Sequence, residues 1–156
     1  MLTPKISYAA LSKGTFNPLG NSDTPVAWLD PALATPGGSK VFTMVFQFNQ
    51  AMDQESVENP FNWNIGRATG GPGGVYANGV LMNLGRQVGI LPYPESVTYD
   101  PVTKEATVSF KITQNAAGNG LIDPSHWIFR FFGADAGGNP MDPAGDQWNG
   151  SAKRSF

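Results

Sequence analysis

Residues 41–48 read VFTMVFQF. In an extended chain Phe42, Met44, Phe46 and Phe48 fall on one face, and Val41, Thr43, Val45 and Gln47 on the other. Large apolar side chains at a period of two over eight residues specify a central β-strand that must bury one face against a second layer. The run is bounded by Pro36-Gly37-Gly38 before it and Asn49 after it, both turn signals. The same alternation returns in SVTYDPVTKEATVSFKIT. Val97 and Tyr99 lead into an Asp100-Pro101 turn, and Ala106, Val108, Phe110 and Ile112 then alternate with Thr107, Ser109 and Lys111. This pattern predicts a hairpin of two half-buried strands. WIFRFFG places Trp127, Phe129 and Phe131 on one side of a further strand.

No stretch carries a long helical period. The 19 Gly and 13 Pro suit short strands joined by tight turns, and ten Phe and four Trp supply bulk for a core. A chain of 156 residues suffices for one domain with such a core. The expected class is all-β.

Between VFTMVFQF and FNWNI lies AMDQESVENP, where one helical turn is expected. Asp53 would cap the N–H of Glu55 or Ser56, and Pro60 would end the turn by excluding Asn59 from helical conformation. In FNWNI, period two sends Phe61, Trp63 and Ile65 to one side. Residues 66–95 read as an insertion, with Asn78-Gly79 specifying a hairpin of Val75–Ala77 against Val80–Leu84. Residues 1–39 read as an N-terminal extension or first-strand region, with short extended pieces at Ile6–Leu11 and Val26–Leu29. A single turn is expected at LIDPSH, a closing loop from Ala134 to Gly150, and a tail over 149–156.

Three segments in this order resemble the bacterial Ig-like domains found in tandem in S-layer and other cell-surface proteins, the SbsA-type or Big_5-like group. VFTMVFQFNQAMDQESVENPFNWNI is similar to that family's strand, its Met-Asp segment and its next strand. VTYDPVTKEATVSF is similar to its Asp-Pro hairpin. LIDPSHWIFRFFGADAGGNPMD is similar to its ending, carried here by Phe129, Phe131, Asp135, Gly138, Asn139 and Met141. The resemblance covers residues 40–143 and implies an Ig-like Greek-key β-sandwich of about seven strands over residues 40–148. It also implies a non-catalytic spacer or adhesion module, extracellular or in the cell envelope, whose partners are neighbouring domains of a larger chain or other surface proteins. The alternative is an accessory module that binds carbohydrate or a protein ligand. No signal-peptide pattern opens the sequence, so either the protein is cytosolic or this is a mature or excised piece of a larger exported chain, the reading that accords with the resemblance. The first 39 residues and the 66–95 insertion depart from the family pattern, and loops of that kind carry specificity.

Composition narrows the chemistry. A formal charge of −2 and ten scattered Lys and Arg give no basic stripe for nucleic acid. Without cysteine there is no thiolate catalysis, disulfide or Cys-based zinc site. No apolar run is long enough for a membrane-spanning helix, so membrane insertion is not expected. The single histidine, His126, follows Ser125 directly, and neighbours on a strand point to opposite faces. No G-x-S-x-G elbow supports a nucleophile. Asp53 and Glu55 stand too close in sequence to flank a sugar as a paired acid and base. An enzyme is therefore not expected.

No cofactor is expected, with calcium the one rival considered. Asp53, Asp135, Asn139 and Asp142 could supply oxygen ligands. The EF-hand order fails, however, because Gly137 and Pro140 stand at its third and sixth places and Asp146 at its twelfth. The competing reading has Asp135 and Asn139 bonding their own loop backbone. A ligand platform would use Tyr76, Tyr93 and Trp148, with Trp28 also outside the strongest strands; the alternative is packing beneath long loops. The Asp-Pro pairs led by Asp30, Asp100, Asp123 and Asp142 read as turn chemistry. Asn149-Gly150-Ser151 has the form of a glycosylation sequon.

Overall fold

The computed structural model describes residues 3–10, 13–16, 24–67, 93–122, 127–143 and 145–149. The hairpin expected within 75–84, residues 123–126 of the turn expected at LIDPSH and most of the 66–95 insertion lie outside the described residues, while Leu121–Ile122 of that stretch form a strand rather than a turn. The strands are β1 (Ile6–Ala9), β2 (Thr24–Pro25), β3 (Ser39–Phe48), β4 (Trp63–Arg67), β5 (Ser96–Asp100), β6 (Glu105–Thr113), β7 (Leu121–Ile122), β8 (Trp127–Phe131) and β9 (Gln147–Asn149). One turn of helix, α1 (Gln54–Val57), follows β3. The class is all-β, as composition and periodicity require.

All pairing is antiparallel. One sheet has the order β1-β3-β6-β5 and a second the order β4-β8-β9, while β2 and β7 form a short separate ladder. The inner face of the first sheet carries Phe42, Met44, Phe46 and Phe48 from β3, Ala106, Val108, Phe110 and Ile112 from β6, and Val97 and Tyr99 from β5, all buried. Each of these lies on the side that the alternation assigned. Opposite them, Trp63 and Ile65 of β4 and Phe129 and Phe131 of β8 are buried as well.

Rings interlock across the gap between the sheets. Phe46 lies 5.9 Å from Trp63 and 5.2 Å from Phe129, and Phe48 lies 5.5 Å from Phe131. Each such phenyl group stabilises the fold by about 1.5–3 kcal/mol through burial alone. The Trp63 indole N–H donates to the Val57 carbonyl at 2.8 Å, so its one polar atom is satisfied and α1 is tied to the core.

The β5–β6 connection shows the expected turn chemistry. The Asp100 carboxylate accepts from the Val102 N–H at 2.9 Å and its carbonyl from the Lys104 N–H at 2.8 Å. Lys104 adopts φ 62°, a left-handed conformation that a side chain tolerates only at some cost. Asp30 likewise accepts from the Ala32 N–H at the start of a 3-10 turn.

Four local features bear on the expectations, the last three as corrections. First, the described residues before 40 join the sandwich, in keeping with a first-strand region rather than an extension. β1 pairs with β3, and Phe16, Val26 and Leu33 are core residues, with the Phe16 ring edge-on to Phe42 and Phe110 at 5.9 and 5.2 Å. Buried Gln114 secures the same region, donating to the Leu33 carbonyl at 2.7 Å and accepting from the Gly120 N–H at 2.8 Å. Second, Val26–Trp28 is a 3-10 turn rather than an extended piece, closed by the Leu29 N–H on the Val26 carbonyl at 2.9 Å.

Third, the closing loop contains β9, so Gln147, Trp148 and Asn149 complete the second sheet and the boundary at 148 falls inside a strand. Fourth, Phe61 does not join Trp63 and Ile65 on the core face. Pro60–Asn62 is a 3-10 turn, with the Asn59 side chain accepting from the Phe61 N–H, and this turn rotates Phe61 out to 75% exposure.

Candidate functional site

Of the carboxylates considered for calcium, those of Asp135 and Asp142 are engaged by neighbouring residues. Asp53 occupies the N-cap position of α1, but its side chain makes no capping hydrogen bond, contrary to expectation. Its main chain is already held, with its N–H on the Ala134 carbonyl at 3.2 Å and its carbonyl accepting from Val57. The turn therefore closes through backbone bonds alone. The hydroxyl of Ser56, from the same turn, accepts from the Ala134 N–H at 3.0 Å.

Asp135 is buried beside the isolated bridge between Met52 and itself. Its Oδ1 accepts from the Gly137 N–H at 2.9 Å and the Asn139 N–H at 2.8 Å. Its Oδ2 accepts from Gln50 Nε2 at 2.7 Å and Asn139 Nδ2 at 3.0 Å. The Asn139 side chain, its N–H, and then the Gly137 and Gln50 donors hold the Asp135 carboxyl below its ordinary pKa against the opposing effect of burial. Gly138, at φ 84°, supplies the left-handed residue that lets the loop fold back on this carboxylate. The alternative reading of Asp135 and Asn139 as loop-bonding residues describes what the atoms do.

Asp142 lies elsewhere, 3.4 Å from Lys5 Nζ, with its N–H on the Pro4 carbonyl. Among the described residues no group of three or more His, Cys, Asp or Glu side chains gathers as a metal ion would require. Ser125 and His126 lie outside the described residues.

At the turn end of β5 and β6 an open recess of about 390 Å³ is lined by Thr98, Tyr99, Asp100, Pro101, Glu105 and Thr107. Asp100 and Glu105 are direct cross-strand partners, an arrangement of like charges that destabilises a hairpin. Lys13 answers it by reaching both Glu105 oxygens, at 2.9 and 2.8 Å. That hydrogen bond to Glu105 is the main reason the Lys13 ammonium titrates above its ordinary range. Glu105 at the recess is thus in a charge-compensating contact with Lys13.

The aromatic candidates separate. Trp148 is half-buried, 5.8 Å from Phe46 and 6.3 Å from Phe129, and extends the core. Trp28 is 80% exposed after its 3-10 turn. Tyr76 lies outside the described residues. Tyr93, 47% exposed, meets Phe61 edge-on, with ring centroids 5.3 Å apart and planes at 72°. Phe132, 57% exposed, sits directly across from this turn, its N–H on the Asn62 carbonyl at 2.8 Å.

Phe61, in the turn that packs on α1, meets Tyr93, and Phe132 follows β8, the strand next to β4. Sequence reasoning singled out Tyr93 of the three. Asn59-Pro60, with its capping side chain and pre-set proline, is the signal that would have turned Phe61 outward. Comparison with protein families, curated proteins and solved structures found no match.

Proposed function

We propose that this chain is a non-catalytic Ig-like module of a bacterial cell-surface or secreted protein, serving as a spacer or adhesion unit beside neighbouring domains. With the short β2–β7 ladder set aside, the strands in chain order take the places A, B, C, D, E, F and G. The sheet orders β1-β3-β6-β5 and β4-β8-β9 then read A-B-E-D and C-F-G, the arrangement of an Ig constant-type sandwich. This strand order supports the Ig-like assignment that the sequence resemblance implies. Low charge content, at 14% Asp, Glu, Lys and Arg, is in keeping with an exported protein.

The observation that carries the functional reading is the division of labour among side chains. The buried carboxylate of Asp135 is consumed by hydrogen bonds, whereas Phe61, Tyr93 and Phe132 remain exposed, the first two in contact. A module of this kind works by rigid spacing and contact, with specificity in what its framework presents. The second reading, an accessory ligand-binding module, draws on the same three aromatics. The 72° between Phe61 and Tyr93 favours a protein ligand over a sugar, because a sugar platform needs coplanar rings.

Protease treatment and impermeant biotinylation of intact cells of the native host test this reading. The proposal expects the chain to be cleaved and labelled without lysis, or recovered from the medium. Labelling only after lysis would contradict it.

A further inference from the structure

We propose that the β4–β5 side is a docking surface for a protein segment that presents Lys or Arg beside an apolar side chain. The proposal rests on the reading of the chain as an interaction module and names the surface and the partner's chemistry. Phe61 and Tyr93 form a contiguous aromatic pair in solvent, with Phe132 across the adjoining strand. Exposed aromatic rings in contact, with a third exposed on the neighbouring strand, mark a contact site where singly scattered ones would not.

The charged side chains that flank this pair most closely in sequence are acidic. Asp53 and Glu55 are exposed on the turn just before Phe61, and Glu58 stands three residues before it. Glu95 follows Tyr93 by two residues. Of these, Glu58 accepts from the Tyr99 N–H at 2.9 Å, and Glu95 is offset by Lys111 at 3.7 Å. Acids around aromatic rings attract a cation twice, through the carboxylates and through the ring faces.

The same charge disfavours the other occupants. A second copy docked on the same face about a two-fold axis would bring these acids against themselves. An anionic lipid surface would be repelled. Strand addition to β5 is obstructed where Glu58 already occupies the Tyr99 N–H. A basic and apolar side-chain contact is what remains.

The test is binding of short synthetic peptides to the whole protein, followed by fluorescence anisotropy and by NMR. One set combines Arg or Lys with Phe or Leu, a second replaces the basic residues by Glu, and a third replaces the apolar residues by Ser. The expected result is binding of the first set alone, with shifts confined to residues around Phe61, Tyr93 and Phe132. Phe61→Ser should weaken it about tenfold or more. Glu55→Lys, which leaves the aromatic pair intact, should weaken it several-fold and flatten its salt dependence.

Equal binding of the acidic set, retained affinity in both variants, or no binding by any set overturns the proposal. So does self-association or binding to phosphatidylserine vesicles that Phe61→Ser abolishes. None of these outcomes bears on where the protein resides in the cell, so the two readings fail separately.

Discussion

Asp135 and Asp146 are carboxylates of the same closing segment with opposite consequences for stability. Asp135 is held below its ordinary pKa, first by the Asn139 side chain and then by backbone donors. Its contribution is complete above the unfolded value of about 3.9 and is lost as pH falls through the depressed folded value. Asp146 is pushed above its ordinary value, chiefly by burial, although Arg130 nearby pulls the other way. The fold therefore prefers its neutral form, and its charge costs stability at neutral pH until protonation relieves it. Thermal denaturation at pH 7 should show Asp135→Asn melting roughly 5 °C lower, with the gap to wild type closing under acid conditions. Asp146→Asn should melt at the wild-type temperature or slightly above it. A fall of equal size in both variants would contradict these assignments.

At the level of elements, the N-terminal segment decides whether the molecule is a sandwich with an appendage or one structure throughout. Phe16 is buried against Phe42 and Phe110, so Phe16→Ala should cost about 3–5 kcal/mol in urea denaturation, as for any large core aromatic. A cost below about 1 kcal/mol would mean that the segment is dispensable. β3, β5, β6 and β8 were legible because each alternates over five or more residues with large side chains on one face. β9 was not, since its three residues carry no period and their pairing is set by β8. β1 was visible only as a short extended piece, because one edge strand of four residues leaves little pattern. The site was less legible still. Asp135 and Asn139 could be paired in sequence, but Gln50 reaches them only through the fold. Period two carried Phe61 to the wrong face, because a 3-10 turn interrupts the strand just where the pattern appears to continue.

For the whole molecule, two antiparallel sheets bury their aromatic faces against each other, and the carboxylates of Asp100 and Asp135 hold connections between strands. The surface proposed for a partner is the one that carries the exposed Phe61–Tyr93 pair. That account depends on Phe61 being presented to solvent rather than packed, against the expectation drawn from the strand pattern. The direct measurement is the equilibrium unfolding free energy of Phe61→Ser relative to wild type. A residue 75% exposed whose ring meets Tyr93 at the surface should change it by less than about 1 kcal/mol. A loss of about 3–5 kcal/mol would place the ring in the core and contradict the account.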